Sequence, residues 1–142
     1  MFMNDARGIF SFVIDGQPPS VNHMYKLARG TRRIVKDPDV AAYQVGVTLI
    51  VRTSRPKGFP PPGQIRIRYW FELARDIDCD NALKALNDAI ALGLGVDDKR
   101  FLPCVEAKTI GSKRPLVRVV MEAWPSPSLE AEPSRSSEPT GT

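Results

Sequence analysis

The ten residues Gln64 to Leu73 alternate apolar and polar side chains without a break. Ile65, Ile67, Tyr69, Phe71 and Leu73 fall on one side; Arg66, Arg68, Trp70 and Glu72 fall on the other. A period of two is the signature of a β-strand with one face buried and one face open. This strand runs straight into Asp76-Ile77-Asp78-Cys79-Asp80-Asn81, so any fold that buries its apolar face also fixes where those carboxylates emerge.

The remaining elements are read around that strand. Ile9 to Ile14 is rich in β-branched and aromatic residues and predicts a first strand, closed by Asp15-Gly16. Asp37 before Pro38 is an N-cap followed by proline at the first helical position, and Val40, Tyr43, Val47 and Ile50 or Val51 give one apolar helical face. That helix is expected from Pro38 to about Arg52. The proline- and glycine-rich stretch 55–63 is a loop. Asp80 or Asn81 is expected to cap a second helix. Leu83, Leu86, Ile90 and Leu94 share its apolar face, and Gly93 and Gly95 end it. Phe101 to Ile110 and Leu116 to Trp124 predict two strands, and Gly111 to Pro115 between them suggests a hairpin. The expected fold is α+β, in the order β-α-β-α-β-β: one domain over residues 1–124, with a small mixed sheet packed by two helices. From Pro125 to Thr142 four prolines and five serines, with one leucine as the only large apolar residue, predict a disordered tail.

Charge and ligand types narrow the chemistry. The formal net charge of +4 includes −2 from residues 125–142, so the domain itself carries +6, a sign that suits an anionic partner such as nucleic acid. Five basic residues and no acid lie between Lys26 and Lys36: Lys26, Arg29, Arg32, Arg33 and Lys36. The bland reading of that run is a solvated loop; the functional one is contact with backbone phosphates. Two cysteines and a single histidine, His23, argue against structural zinc and a Ser-His-Asp mechanism. The start of the chain has no signal-peptide apolar region, and no apolar run approaches a membrane span, which leads us to expect an intracellular protein.

Asp76, Asp78 and Asp80 project to one face if the strand continues through them. Carboxylates about 7 Å apart repel unless a cation sits between them, and hard oxygen ligands suit magnesium or manganese. A helix N-terminus beside them favours a phosphate. Lys84, one turn beyond Asp80, could neutralise developing charge on a transferring phosphoryl group. Asp97-Asp98, after the second helix, is expected to return towards the strand ends and complete the cluster. Two plainer readings stand beside this one. An Asp-rich strand-to-helix junction is often only a solvated turn with a cap. An EF-hand loop is ruled out because Asn81 and Asn87 stand where glycine and glutamate are required. Cys79 reads as a small buried residue. Trp70 and Phe101 could wedge into a DNA substrate or could serve the core or an interface.

Asp78-Cys79-Asp80-Asn81-Ala82-Leu83-Lys84, followed by Asp88 and Asp97-Asp98, resembles the RusA family of Holliday junction resolvases, and Pro18-Pro19-Ser20-Val21-Asn22 resembles that family's N-terminal proline-rich element. The resemblance spans about residues 9–123. It implies a homodimeric, magnesium-dependent endodeoxyribonuclease that cuts four-way DNA junctions with paired nicks. Carried over by position, Asp78, Asp80 and Asp98 would bind the metal and Lys84 would be the catalytic lysine; Asn81, Asp97 and Arg75 would support them. Asp76 is an additional acid beside the motif. Lys108, Lys113 and Arg114 could extend the DNA surface begun by the Lys26–Lys36 run. Two alternatives remain: a nuclease acting on branched or flapped DNA more generally, and a junction-binding protein that does not cut.

Overall fold

The computed structural model describes residues 3–4, 8–19, 25–27 and 34–125. Ten elements follow in order: β1 (Met3–Asn4), β2 (Phe10–Asp15), β3 (Tyr25–Leu27), β4 (Ile34–Lys36), α1 (Pro38–Ser54), β5 (Gln64–Leu73), α2 (Cys79–Leu94), a short 3-10 turn (Asp98–Arg100), β6 (Phe101–Ile110) and β7 (Leu116–Trp124). Five strands form one mixed sheet in the order β1-β2-β7-β5-β6, and β3 pairs with β4 in a separate ribbon. The α+β class and the two packing helices are as the patterns predict. Of the tail expected over residues 125–142, all but Pro125 lies outside the described residues.

β5 is an interior strand, paired with β7 on one side and β6 on the other. Its five apolar side chains are all buried, from Ile65 to Leu73. They join Phe10, Phe12 and Ile14 of β2 and Val117, Val119 and Met121 of β7. Val47 and Val51 of α1 and Leu86 and Ile90 of α2 cover the same side. Both helices therefore pack on one face of the sheet. The other face stays half-open, with Arg68 stacked 5.0 Å over Trp70 and Arg66 stacked 4.9 Å over Trp124. Phe101 belongs to the core, at 6% exposure.

Four details depart from the expectations. The strands flanking Gly111–Pro115 do not pair. β6 lies parallel to β5 on one edge, and β7 lies antiparallel to β5 on the other. The reason is α2: it carries the chain back along β5, so β6 must run in the same direction as β5, and the 111–115 connector then crosses the end of β5. Ser112 N–H donates to the Leu73 carbonyl (2.9 Å) as it passes. Second, α2 begins earlier than expected. Asp78 is its N-cap, accepting from Asp80 N–H at 3.0 Å. Third, the basic stretch contributes the β3–β4 ribbon, in which Lys26 pairs with Val35 and Tyr25 with Lys36. Fourth, β1 adds a further edge strand beside β2.

The helices are bonded as well as packed. Gln44 and Thr48 of α1 are buried and donate to the carbonyls of Ala85 and Ala89 of α2, each at 3.0 Å. Tyr69 Oη donates to Asn87 Oδ1 at 2.6 Å, tying α2 to β5. These bonds fix how α2 lies on the sheet, and so where its N-terminus presents Asp78 and Asp80.

Candidate active site

The end of β5 is clamped before the acidic run begins. The side-chain amide of Gln17 accepts from Ala74 N–H (2.8 Å) and donates to the Arg75 carbonyl (3.1 Å), acting as a one-residue strand partner. With Ser112 on Leu73, this holds the chain on both sides as it leaves the sheet. Sequence reading passed over Gln17, because nothing in its spacing shows that it meets a residue 57 positions away.

Beyond the clamp, Arg75, Asp76, Ile77, Asp78, Cys79, Asp80 and Lys108 line one open, polar cavity. Asp78 does double duty there. Its Oδ1 caps α2, and its Oδ2 accepts from the Asn81 amide at 3.3 Å. Asp80 sits in the first turn of α2, where the helix dipole favours a negative charge. Asp76 forms a 2.8 Å ion pair with Lys108 Nζ, which also lies 3.5 Å from the Ile77 carbonyl. The hydrogen bond to Asp76 raises the Lys108 pKa above its ordinary value. Burial pushes the Cys79 thiol up, with Lys108 pulling it down and the three aspartates pushing it further up. All four charged groups therefore act at one place.

The described residues that line the cavity, three carboxylates against Arg75 and Lys108, carry one net negative charge. That sign attracts a cation. A divalent ion would reverse it, leaving the net positive charge that a phosphate needs. Among the described residues no three His, Cys, Asp or Glu side chains converge into a ready-made metal centre. Asp78 and Asp80 nevertheless fit magnesium, which is commonly held by one or two carboxylates while keeping water and substrate oxygens as its remaining ligands.

The expected partners of Asp78 and Asp80 are distributed unequally. Asn81 and Arg75 are at the cavity or in contact with it. Lys84 is exposed on α2, one turn beyond Asp80. Asp97 and Asp98 are not there. They precede β6, whose first residue Phe101 pairs with Ile65 at the opposite end of β5. Asp97 caps the 3-10 turn through Lys99 N–H (2.9 Å), and Arg100 Nε donates to the Gly63 carbonyl (2.8 Å). Ile65 and Leu73 are eight residues apart, which at ~3.3 Å per residue separates the two ends by roughly 26 Å. Helix α2 does return along β5 as expected, but it returns to the start of the strand. Of the basic run, Lys26 and Lys36 belong to the β3–β4 ribbon, while Arg29, Arg32 and Arg33 lie outside the described residues. The same holds for Ser20, Val21 and Asn22 of the proline-rich element.

A family model described as Endodeoxyribonuclease RusA matches residues 15–122. No curated protein matches the chain. The matched span begins at the last residue of β2 and ends within β7, so it takes in the Gln17 clamp, the whole acidic cavity and Asp97-Asp98.

Proposed function

This chain belongs to the RusA endodeoxyribonuclease family, and we propose that it is a magnesium-dependent enzyme that resolves four-way DNA junctions in recombination and repair. The observation that carries the reading is the Asp78/Asp80 pair, held at the N-terminus of α2 in a cavity that one divalent cation would turn from net negative to net positive. Manganese would substitute, because it shares magnesium's preference for oxygen ligands.

Asp78 and Asp80 would hold the ion, with Asn81 orienting the Asp78 carboxylate through its 3.3 Å bond. When bound, the cation would polarise the scissile phosphate and lower the pKa of the attacking water. Lys84, one turn along the same helix face, would neutralise charge developing on the phosphate oxygens. Lys26 and Lys36 of the β3–β4 ribbon, with Arg29, Arg32 and Arg33 between them, would hold backbone phosphates away from the cut. A homodimer suits a substrate with two-fold symmetry. It also suits Asp98. Lying at the far end of β5 from Asp78, this residue would serve the same ion only from a second copy of the chain.

The test is cleavage of a synthetic four-way junction with and without magnesium. Cutting should require the metal. Asp80→Asn should lower the rate by ~100-fold or more while leaving junction binding intact. Wild-type rates in that variant would remove Asp80 from the site. Flaps and plain duplex, run in parallel, separate junction resolution from a broader action on branched DNA.

A further inference from the structure

Among the described residues, Lys108 is the one that lines the acidic cavity from outside the 75–80 segment. It stands on β6, paired with Phe71 in the register, and reaches across the end of β5 to Asp76. An ion pair this exposed, with side chains 37% and 68% accessible, contributes little to folding. Its value lies in where it keeps the ammonium. Asp76 and the Ile77 carbonyl account for two of the three N–H donors of Lys108. Among the described residues none takes the third, which remains for an oxygen entering the cavity.

Resting on the nuclease reading above, we infer that Lys108 is a phosphate-binding cation of the cleavage site, held in place by Asp76. The chemistry demands such a group. A phosphate that approaches a cation held by Asp78 and Asp80 brings its remaining oxygens beside two or three carboxylates. An ammonium on the opposing strand offsets that repulsion, and Asp76 fixes where it sits. This assigns Asp76 a purpose that metal binding does not require of it. Asp76 is the holder of the lysine, which leaves Asp78 and Asp80 as the carboxylates for the ion.

The test uses the full-length protein, thermal midpoints as a control on folding, and a synthetic four-way junction as the probe. Affinity is measured from 50 to 200 mM salt, with calcium replacing magnesium, for wild type, Lys108→Gln and Lys108→Arg. A lost phosphate contact lowers the slope of log affinity against log salt by about 0.9. Lys108→Gln should show that loss at an unchanged thermal midpoint, and Lys108→Arg should keep the wild-type slope. A wild-type slope in Lys108→Gln overturns the inference. Junction cutting by wild type in magnesium is measured alongside. A protein that binds but never cuts would defeat the proposed function while the slopes still decide Lys108; a protein that cuts with an unchanged Lys108→Gln slope would defeat the Lys108 assignment alone.

Discussion

Asp78 shows how one side chain can serve folding and chemistry at once. Its carboxylate satisfies Asp80 N–H at the start of α2 and takes a bond from Asn81, while it also lines the cavity proposed to hold the metal. Two substitutions separate these duties. Asparagine is as good an N-cap as aspartate, so Asp78→Asn should keep thermal stability close to wild type yet lose cleavage. Asp78→Ala should lose cleavage and also ~1 kcal/mol of stability, readable in a denaturant titration. If Asp78→Asn cuts normally, the residue is only a cap. This double role also explains why α2 starts before the position expected from sequence. Asp78, Asp80 and Asn81 are all competent caps, and their order in the chain does not show which one has the helical residues behind it. The cluster itself was legible because it is contiguous. Gln17 was not, and Lys108 was legible only as part of a wider DNA surface and not as a member of the cluster, because each reaches it from a distant strand or loop, and no local pattern marks such an arrival.

At the scale of elements, legibility followed side-chain pattern. β5 was fully readable because its alternation coincides with its burial. The buried face of α1 was only partly readable: Gln44 and Thr48 are polar, yet they face α2 and donate to its backbone. The β6–β7 pairing was misread because chain proximity suggests a hairpin, whereas the direction imposed by α2 puts β5 between them. The contact between α1 and α2 gives a prediction with two signs. At Gly93 an added Cβ would lie 2.8 Å from Cβ and Cγ1 of Val51 and 3.1 Å from the Thr48 carbonyl. Gly93→Ala should therefore destabilise the fold by ~1–3 kcal/mol, despite alanine's better helix propensity. At Gly46, on the exposed side of α1, nothing lies within 4 Å of the same added atom. Gly46→Ala should stabilise by about 0.5–1 kcal/mol. Denaturant midpoints of the two variants should move in opposite directions; a shared direction would mean that helix propensity, not the close approach, sets the outcome at Gly93.

At the scale of the whole molecule, the length of β5 is the decisive quantity. The sixteen residues of α2 span ~24 Å, close to the length of β5 that they cover, so the chain between Asp80 and Asp98 is spent in a single traverse of the sheet. A protomer in which both acids met one ion would have to give up either α2 or the β5–β6 pairing. If Asp98 does take part in cutting, the site is shared between two copies, and complementation detects sharing. Asp80→Asn and Asp98→Asn should each be inactive alone. Mixed and allowed to exchange subunits, they form heterodimers in which one site combines the intact Asp78 and Asp80 of one copy with the intact Asp98 of the other. The second site carries both defects. Activity should return at about a quarter of the wild-type sites under random pairing, and it should appear as single nicks instead of paired ones, since each heterodimer has one working centre. Were the acids to act within one chain, every site in the mixture would retain a lesion and no activity would return. An active Asp98→Asn homodimer would instead confine the chemistry to the Asp78/Asp80 end of the sheet.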